Sequence, residues 1–173
     1  MPRLFVACAF ALAGCGTATV VPLVSTAGAP YTLTPRPDVP LEVVTRGTGV
    51  RDPLPVEGGG TSYGEVETAL GHAVASATVP WAEARQAAHG GHGWQLLVEL
   101  TQADARYSAQ RLVVTMTVRA TLRTRGDHHF LAQTQARCST GAMSEPRDGA
   151  PVLYGCMSSV GRDLAAWLGG VPQ

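Results

Sequence analysis

The sequence predicts an α+β fold: a small antiparallel sheet of about four strands with two main helices packed on one face. Three observations carry this. Runs beginning at Leu41, Trp94, Leu112 and Phe130 have strand character, and the last three alternate apolar with polar residues, as a sheet covered on one side does. Two stretches, one after Ser62 and one from Pro151, place apolar residues at helical spacing. The composition, 45% hydrophobic and 15% charged over 173 residues, suits one domain with a real core and excludes a disordered chain.

The chain opens with the positive Met1-Pro2-Arg3. The uncharged apolar run Leu4–Leu12 follows, then small Ala13 and Gly14, then Cys15. This is the order of a secretory signal. The run is about half the ~20 residues that span a bilayer. The string Leu12-Ala13-Gly14-Cys15 resembles a lipobox, the signature of bacterial lipoproteins. That resemblance implies cleavage before Cys15, acylation of Cys15, and a protein held to a membrane by lipid at about 0.8 kcal/mol per buried CH₂. An ordinary secretory signal that contains a cysteine is the alternative. Gly16, after Cys15, is not the Asp that marks inner-membrane retention in enteric bacteria, so a periplasm-facing place on the outer membrane is favoured over the inner.

Residues 1–14 are therefore read as a lipoprotein signal peptide, 15–40 as the lipidated cysteine and a flexible tether, and 41–173 as a single domain. Gly16–Pro40 holds no helical or strand period and only two charges, Arg36 and Asp38. A flexible chain of that length spans about 25–30 Å.

Leu41–Thr45 is the first expected strand. The segment from Arg46 to Gly60 is rich in Gly and Pro and reads as a loop, and Gly58-Gly59-Gly60 as a flexible connection. It lacks the Lys of a phosphate-binding loop, as does the whole chain. Ser62 and Glu65 form an S-x-x-E capping box. Val66, Leu70, Ala73, Val74 and Ala77 then share one helical face, with His72 opposite. Pro80 is expected to end or restart this helix, and Trp81–Ala88 to form a second short one.

Trp94, Leu96, Val98 and Leu100 make the apolar side of the next strand. Leu112, Val114, Met116, Val118, Ala120 and Leu122 make that of the longest. Phe130, Ala132, Thr134, Ala136 and Cys138 follow. A two-residue turn at Gly126-Asp127 would set Leu122 opposite Leu131 and mix the faces, so an odd loop or a bulge is expected, with Leu122 opposite Ala132 and Val118 opposite Ala136. The last helix runs from about Pro151 to Leu168, closed by Gly169-Gly170. Its apolar stripe is Leu153, Met157, Val160, Leu164 and Leu168, with Gly161 beside them to permit close approach of a neighbour.

Of four cysteines, Cys8 leaves with the signal and Cys15 is acylated. Cys138 and Cys156 remain, and an oxidising compartment would join them. Cys138 lies on the apolar side of the last strand and Cys156 on a flank of the helix stripe, so a bridge would clamp helix to sheet. Two buried free thiols are the alternative.

Little chemistry is indicated. Basic and acidic residues balance at 13 each, which gives no electrostatic footprint for nucleic acid. His89 and His92 flank two glycines, and His128-His129 lie at a hairpin turn; neither pair has the three or four converging ligands of zinc. Ser158-Ser159 lack a G-x-S-x-G elbow, and Glu99, Asp104, Asp127 and Asp163 form no spaced acid–base pair. No cofactor, metal or enzyme activity is expected. Thr115, Thr117, Arg119, Thr121 and Arg123 form the polar face of the longest strand. That face is either merely solvated or a contact for a protein partner or anionic headgroups.

The order strand, helix, three strands, helix behind LAGC and a tether, with the ending VGRDLAAWL, resembles the auxiliary lipoproteins of ABC-type lipid transport systems. The smaller lipopolysaccharide-assembly lipoprotein has a similar plan. The resemblance implies helices on one face of a small antiparallel sheet, no catalytic residues, and a subunit that assists lipid movement across the periplasm. The expected role is a non-enzymatic accessory that binds an envelope protein partner. The alternative is a lipoprotein that holds a small apolar ligand or lipid between sheet and helices, for which a cavity under Met116, Val118 and Leu164 would speak.

Overall fold

The computed structural model describes residues 19–23, 40–89 and 93–171. Cys8, Cys15, the apolar run Leu4–Leu12 and His92 lie outside the described residues, as do residues 24–39 of the expected tether. Seven strands, β1 (Thr19–Pro22), β2 (Leu41–Gly47), β3 (Leu54–Glu57), β4 (Thr61–Gly64), β5 (Trp94–Ser108), β6 (Arg111–Thr124) and β7 (Phe130–Met143), accompany two helices, α1 (Val66–His89) and α2 (Ala150–Gly169). The α+β class holds. The sheet, however, has seven strands in the order β1-β4-β3-β5-β6-β7, with β2 also on β5, and it is mixed rather than antiparallel.

The difference has two physical origins. First, β5 is long enough to carry two partners on one edge: β2 lies parallel along Trp94–Leu100 and β3 parallel along Ala105 and Arg106. Parallel pairing is non-local and leaves no turn signature in the sequence. Secondly, β1, β3 and β4 have four residues each. Strands so short, set among Gly and Pro, show too few alternations to be told from loop. Thus β3 and β4 occupy the segment read as a loop, and Gly58 and Gly60, both at positive φ, turn one into the other. Likewise β1 lies within the segment read as a tether and pairs parallel with β4, Thr19 opposite Thr61.

The strand β5 runs past its expected end at Thr101 to Ser108 because a bulge between Leu100 and Gln102 shifts the phase. Before the bulge even-numbered residues face the helices; beyond it Ala105 does. The Thr101 hydroxyl donates to the Thr117 carbonyl at 3.1 Å, tying the extra residue back to the ladder.

In β6 the six even-numbered residues Leu112–Leu122 are all buried. The hairpin to β7 sets Leu122 opposite Ala132 and Val118 opposite Ala136, with a bulge at Leu122/Arg123. That register matches the expected one. The bulge has a further effect: it puts Phe130 opposite Arg123 on the outer side, 55% exposed, rather than in the core.

Helix α1 is one element, not two, and Pro80 lies inside it. Proline there removes a bond to the carbonyl of Ser76; Ser76 and Pro80 are both exposed, so water can serve that carbonyl. The capping box does not form either. Ser62 is a buried residue of β4, and Glu65, at φ 63°, gives its N–H to the Asp52 carboxylate at 3.0 Å. A side chain distant in sequence therefore satisfies one of the helix's first donors.

Both helices pack on the apolar face. The stripe Leu153, Met157, Val160, Leu164 and Leu168 is fully buried. At Gly161 the helices approach so closely that an added Cβ would stand 2.9 Å from the Ala73 carbonyl oxygen and 3.1 Å from the Ala77 Cβ. Cys138 and Cys156 are joined, with Cα atoms 5.5 Å apart, which ties β7 to α2. At the end of the sheet where β5 begins, Trp81 packs on Trp94 with ring centres 5.6 Å apart, and the Arg85 guanidinium lies 5.2 Å above Trp81. Among the described residues no helix is long and apolar enough to cross a membrane.

Candidate functional site

Because both helices cover one face of the sheet, the other face is left bare among the described residues, and every residue that points there comes from strand alternation. From β6 these are Arg111, Val113, Thr115, Thr117, Arg119, Thr121 and Arg123. The register lays partners beside them in rows. Arg46 of β2, Glu99 of β5, Arg119 and Gln135 of β7 form one row. Gln102, Thr117 and Arg137 form the next, and Asp104, Thr115 and Ser139 the one after.

The contacts within these rows are polar and lightly held. Arg119 stands 3.9 Å from the Glu99 carboxylate. The Thr115 and Ser139 hydroxyls are 3.3 Å apart. Gln95 donates to Glu42 at 3.0 Å, and Arg106 meets Glu57 at 3.0 Å. Exposed pairs of this kind contribute about 0–1 kcal/mol each. Their guanidinium groups thus stay available to a partner at small cost.

The five residues singled out from the sequence do share this face but are not equally presented. Arg119 is exposed, and Thr115 and Arg123 are half-buried. Thr117 and Thr121 are only 7% and 6% exposed, although they point away from both α1 and α2. In register they stand between Gln102 and Arg137, and between Leu97 and Gln133, whose longer side chains rise on either side. The threonines are floor rather than contact points.

What the sequence reading missed is the set of arginines that other strands bring in. Arg46, Arg106 and Arg137 join Arg111, Arg119 and Arg123, against the acids Glu42, Glu57, Glu99 and Asp104. A chain of zero net charge thus carries a face on which Arg outnumbers acid. No single segment signals this, since the excess appears only when strands are laid in register.

An open cleft of about 490 Å³ interrupts one edge of β5. It lies where β2 has ended and β3 has not yet begun, beside the Thr101 bulge. Val50, Leu54 and Pro55 give it apolar wall, and Arg51, Asp104 and Arg106 give it charge. The carbonyls of Leu100, which accepts from Thr48, and of Tyr107, which lies against Gly58, both face this edge.

The hairpin tip carries Asp127, whose pKa is held below the usual carboxylate value by hydrogen bonds from the Thr124 hydroxyl and then the His129 N–H. It ties the two sides of the turn together, from Thr124 to the His129 backbone. His128 and His129 are exposed beside it. Among the described residues no three His, Cys, Asp or Glu side chains converge as metal ligands would.

The fold is shared with a solved protein. XCC0632 from Xanthomonas campestris, of the DUF330 family, superposes with a TM-score of 0.54 at 15% identity, over 86% of this chain and 94% of that one. A candidate lipoprotein from Caulobacter crescentus CB15 reaches a TM-score of 0.43 at 14% identity, over 73% of this chain and 91% of its own. Lipoprotein GNA1162 from Neisseria meningitidis reaches 0.29 at 19% identity, over 49% and 56%. These two resemble the chain too weakly for a common fold to be drawn from them. No protein-family model matches the sequence. No curated protein matches it at a significant level.

Proposed function

We propose that the protein is an envelope lipoprotein, acylated on Cys15 and facing the periplasm, whose bare sheet face binds an acidic surface of an envelope protein without catalysing a reaction. The observation that supports it is the excess of arginine on a face left open by both helices, since Arg forms paired bonds to carboxylates. The order of Leu12-Ala13-Gly14-Cys15 supports the lipid, and Gly16 favours the outer membrane. An accessory place in lipid transport fits the same layout.

The reading in which a lipid lies between sheet and helices draws less support. Met116, Val118 and Leu164 are fully buried, and at Gly161 the helices leave no room for one more carbon. The test is crosslinking of the full-length protein in membranes, with mass spectrometry of the N-terminus. Acylated Cys15 and a crosslinked partner lost about tenfold on Arg119→Glu with Arg137→Glu are expected. Capture undiminished by the double reversal would sink the face as the binding surface.

A further inference from the structure

We propose that the end of the sheet where β1 begins rests against the surface of a phospholipid bilayer, so that the body stands on the membrane with the β5–β6–β7 meander projecting away from it. This rests on the acylation of Cys15 proposed above.

Only Gly16, Thr17 and Ala18 separate Cys15 from Thr19, the first residue of β1. Fully extended, they hold Cys15 within about 14 Å of Thr19. The strand β1 is itself well fixed. It is in register with β4 from Thr19 to Pro22. Leu23 is fully buried, its N–H donates to the Gly64 carbonyl at 3.3 Å, and its own carbonyl accepts from the Tyr154 hydroxyl on α2. A lipid on Cys15 is thus leashed to the folded body by three residues, and the stretch 24–39 adds nothing to its reach.

The topology gives the direction of that leash. β1 is parallel to β4, β4 antiparallel to β3, and β3 parallel to β5. Followed backward from Thr19, the chain leaves the sheet at the end where β5 finishes and β6 starts. The turn Gly58–Gly60 lies at that end. So does the turn Pro146–Asp148, since a Cβ on Gly59 would stand 2.7 Å from the Pro146 ring.

This end offers Arg111 and Arg147 to lipid phosphates, and Met143, opposite Arg111 in register and 70% exposed, to the interface. Glu145 and Asp148 balance the charge, so the acyl chains supply attachment and the surface sets the tilt. The opposite tip, with Phe130 and Leu131 exposed, then stands about 40 Å further out, by the rise of a strand as long as β6.

Energy transfer tests this. The acylated full-length protein is placed in phosphatidylethanolamine and phosphatidylglycerol vesicles that carry a rhodamine-labelled lipid, with a donor dye on Met143→Cys or on Leu131→Cys. Transfer several-fold stronger from position 143 than from 131 is expected. Equal transfer, or the reverse order, on protein shown by mass spectrometry to be acylated would overturn the orientation and leave the lipid anchor standing. An unmodified Cys15 with no vesicle binding would overturn both. Insertion of about ten Gly and Ser residues between Ala18 and Thr19 should reduce the contrast; an unchanged contrast would overturn the short leash as its cause.

Discussion

Cys138, on the helix-facing side of the edge strand β7, is bonded to Cys156 on α2, and their Cα atoms lie 5.5 Å apart. The bond closes a loop with a sequence separation of 18 residues and fastens the outermost long strand to the helix layer. On the chain-entropy account a loop of that size stabilises by about 3 kcal/mol. Reduction, or Cys138→Ser together with Cys156→Ser, should therefore lower the melting temperature by roughly 10 °C for a body of this size. Scanning calorimetry with and without reductant measures it. Identical transitions would mean the bond adds nothing to stability.

Gly161 sets the distance between the helices. The 2.9 Å approach to the Ala73 carbonyl concerns backbone, which cannot swing aside as a side-chain tip can. Gly161→Ala should cost about 1–3 kcal/mol despite the better helix propensity of alanine. Gly161→Leu should cost more. Urea denaturation is the measurement, and a stabilised alanine variant would contradict the packing described.

Tyr63 is fully buried in β4 and donates to the Pro146 carbonyl. Burial, and then the neighbouring Asp148 carboxylate, push its pKa up from 10.0 to about 12. Between these values the folded state keeps a proton that the unfolded state has lost. Stability is therefore whole below pH 10 and falls as pH rises toward 12, by on the order of 2 kcal/mol. Tyr63→Phe should flatten this alkaline limb while losing about 1 kcal/mol at neutral pH. Denaturation curves at pH 8, 10 and 11.5 would distinguish the two proteins.

The Tyr154 hydroxyl holds the Leu23 carbonyl. Tyr154→Phe should cost about 1 kcal/mol, and locally at β1 rather than across the core. Amide hydrogen exchange should quicken at Val21 and Leu23 and stay unchanged in β6. Uniform quickening throughout would show that β1 opens only with the whole domain.

Legibility in the sequence followed the range of the interactions. Strand β6 and helix α2 could be read because each carries its pattern within itself: six alternating residues in one, a stripe from Leu153 to Leu168 in the other. The β6–β7 register could be read because a slip would have moved Ala132 and Ala136 off the buried face. Strand β2 could be read at Leu41–Thr45, but its parallel pairing with β5 could not. That pairing, the strand β3, the docking of β1 and the capping of α1 by Asp52 all depend on contacts between distant segments, and β1 and β3 have local sequence that resembles loop. The bulge at Thr101 hid half of β5 by inverting its alternation. Pro80 is a breaker by rule, yet its lost bond faces water. The polar row on β6 was legible as a row; its role as part of a wider arginine face depended on neighbours that only the register supplies.

Thr19–Leu23 is the first part of the described chain to be synthesised, and the residue that fastens its end, Tyr154, is among the last. The seam therefore closes only once α2 is in place. A chain stalled before α2 would present an unfastened first strand together with an apolar sheet covered by α1 alone, a form that quality-control proteases can recognise. Docking of α2 thus completes the seam and the apolar cover in one step.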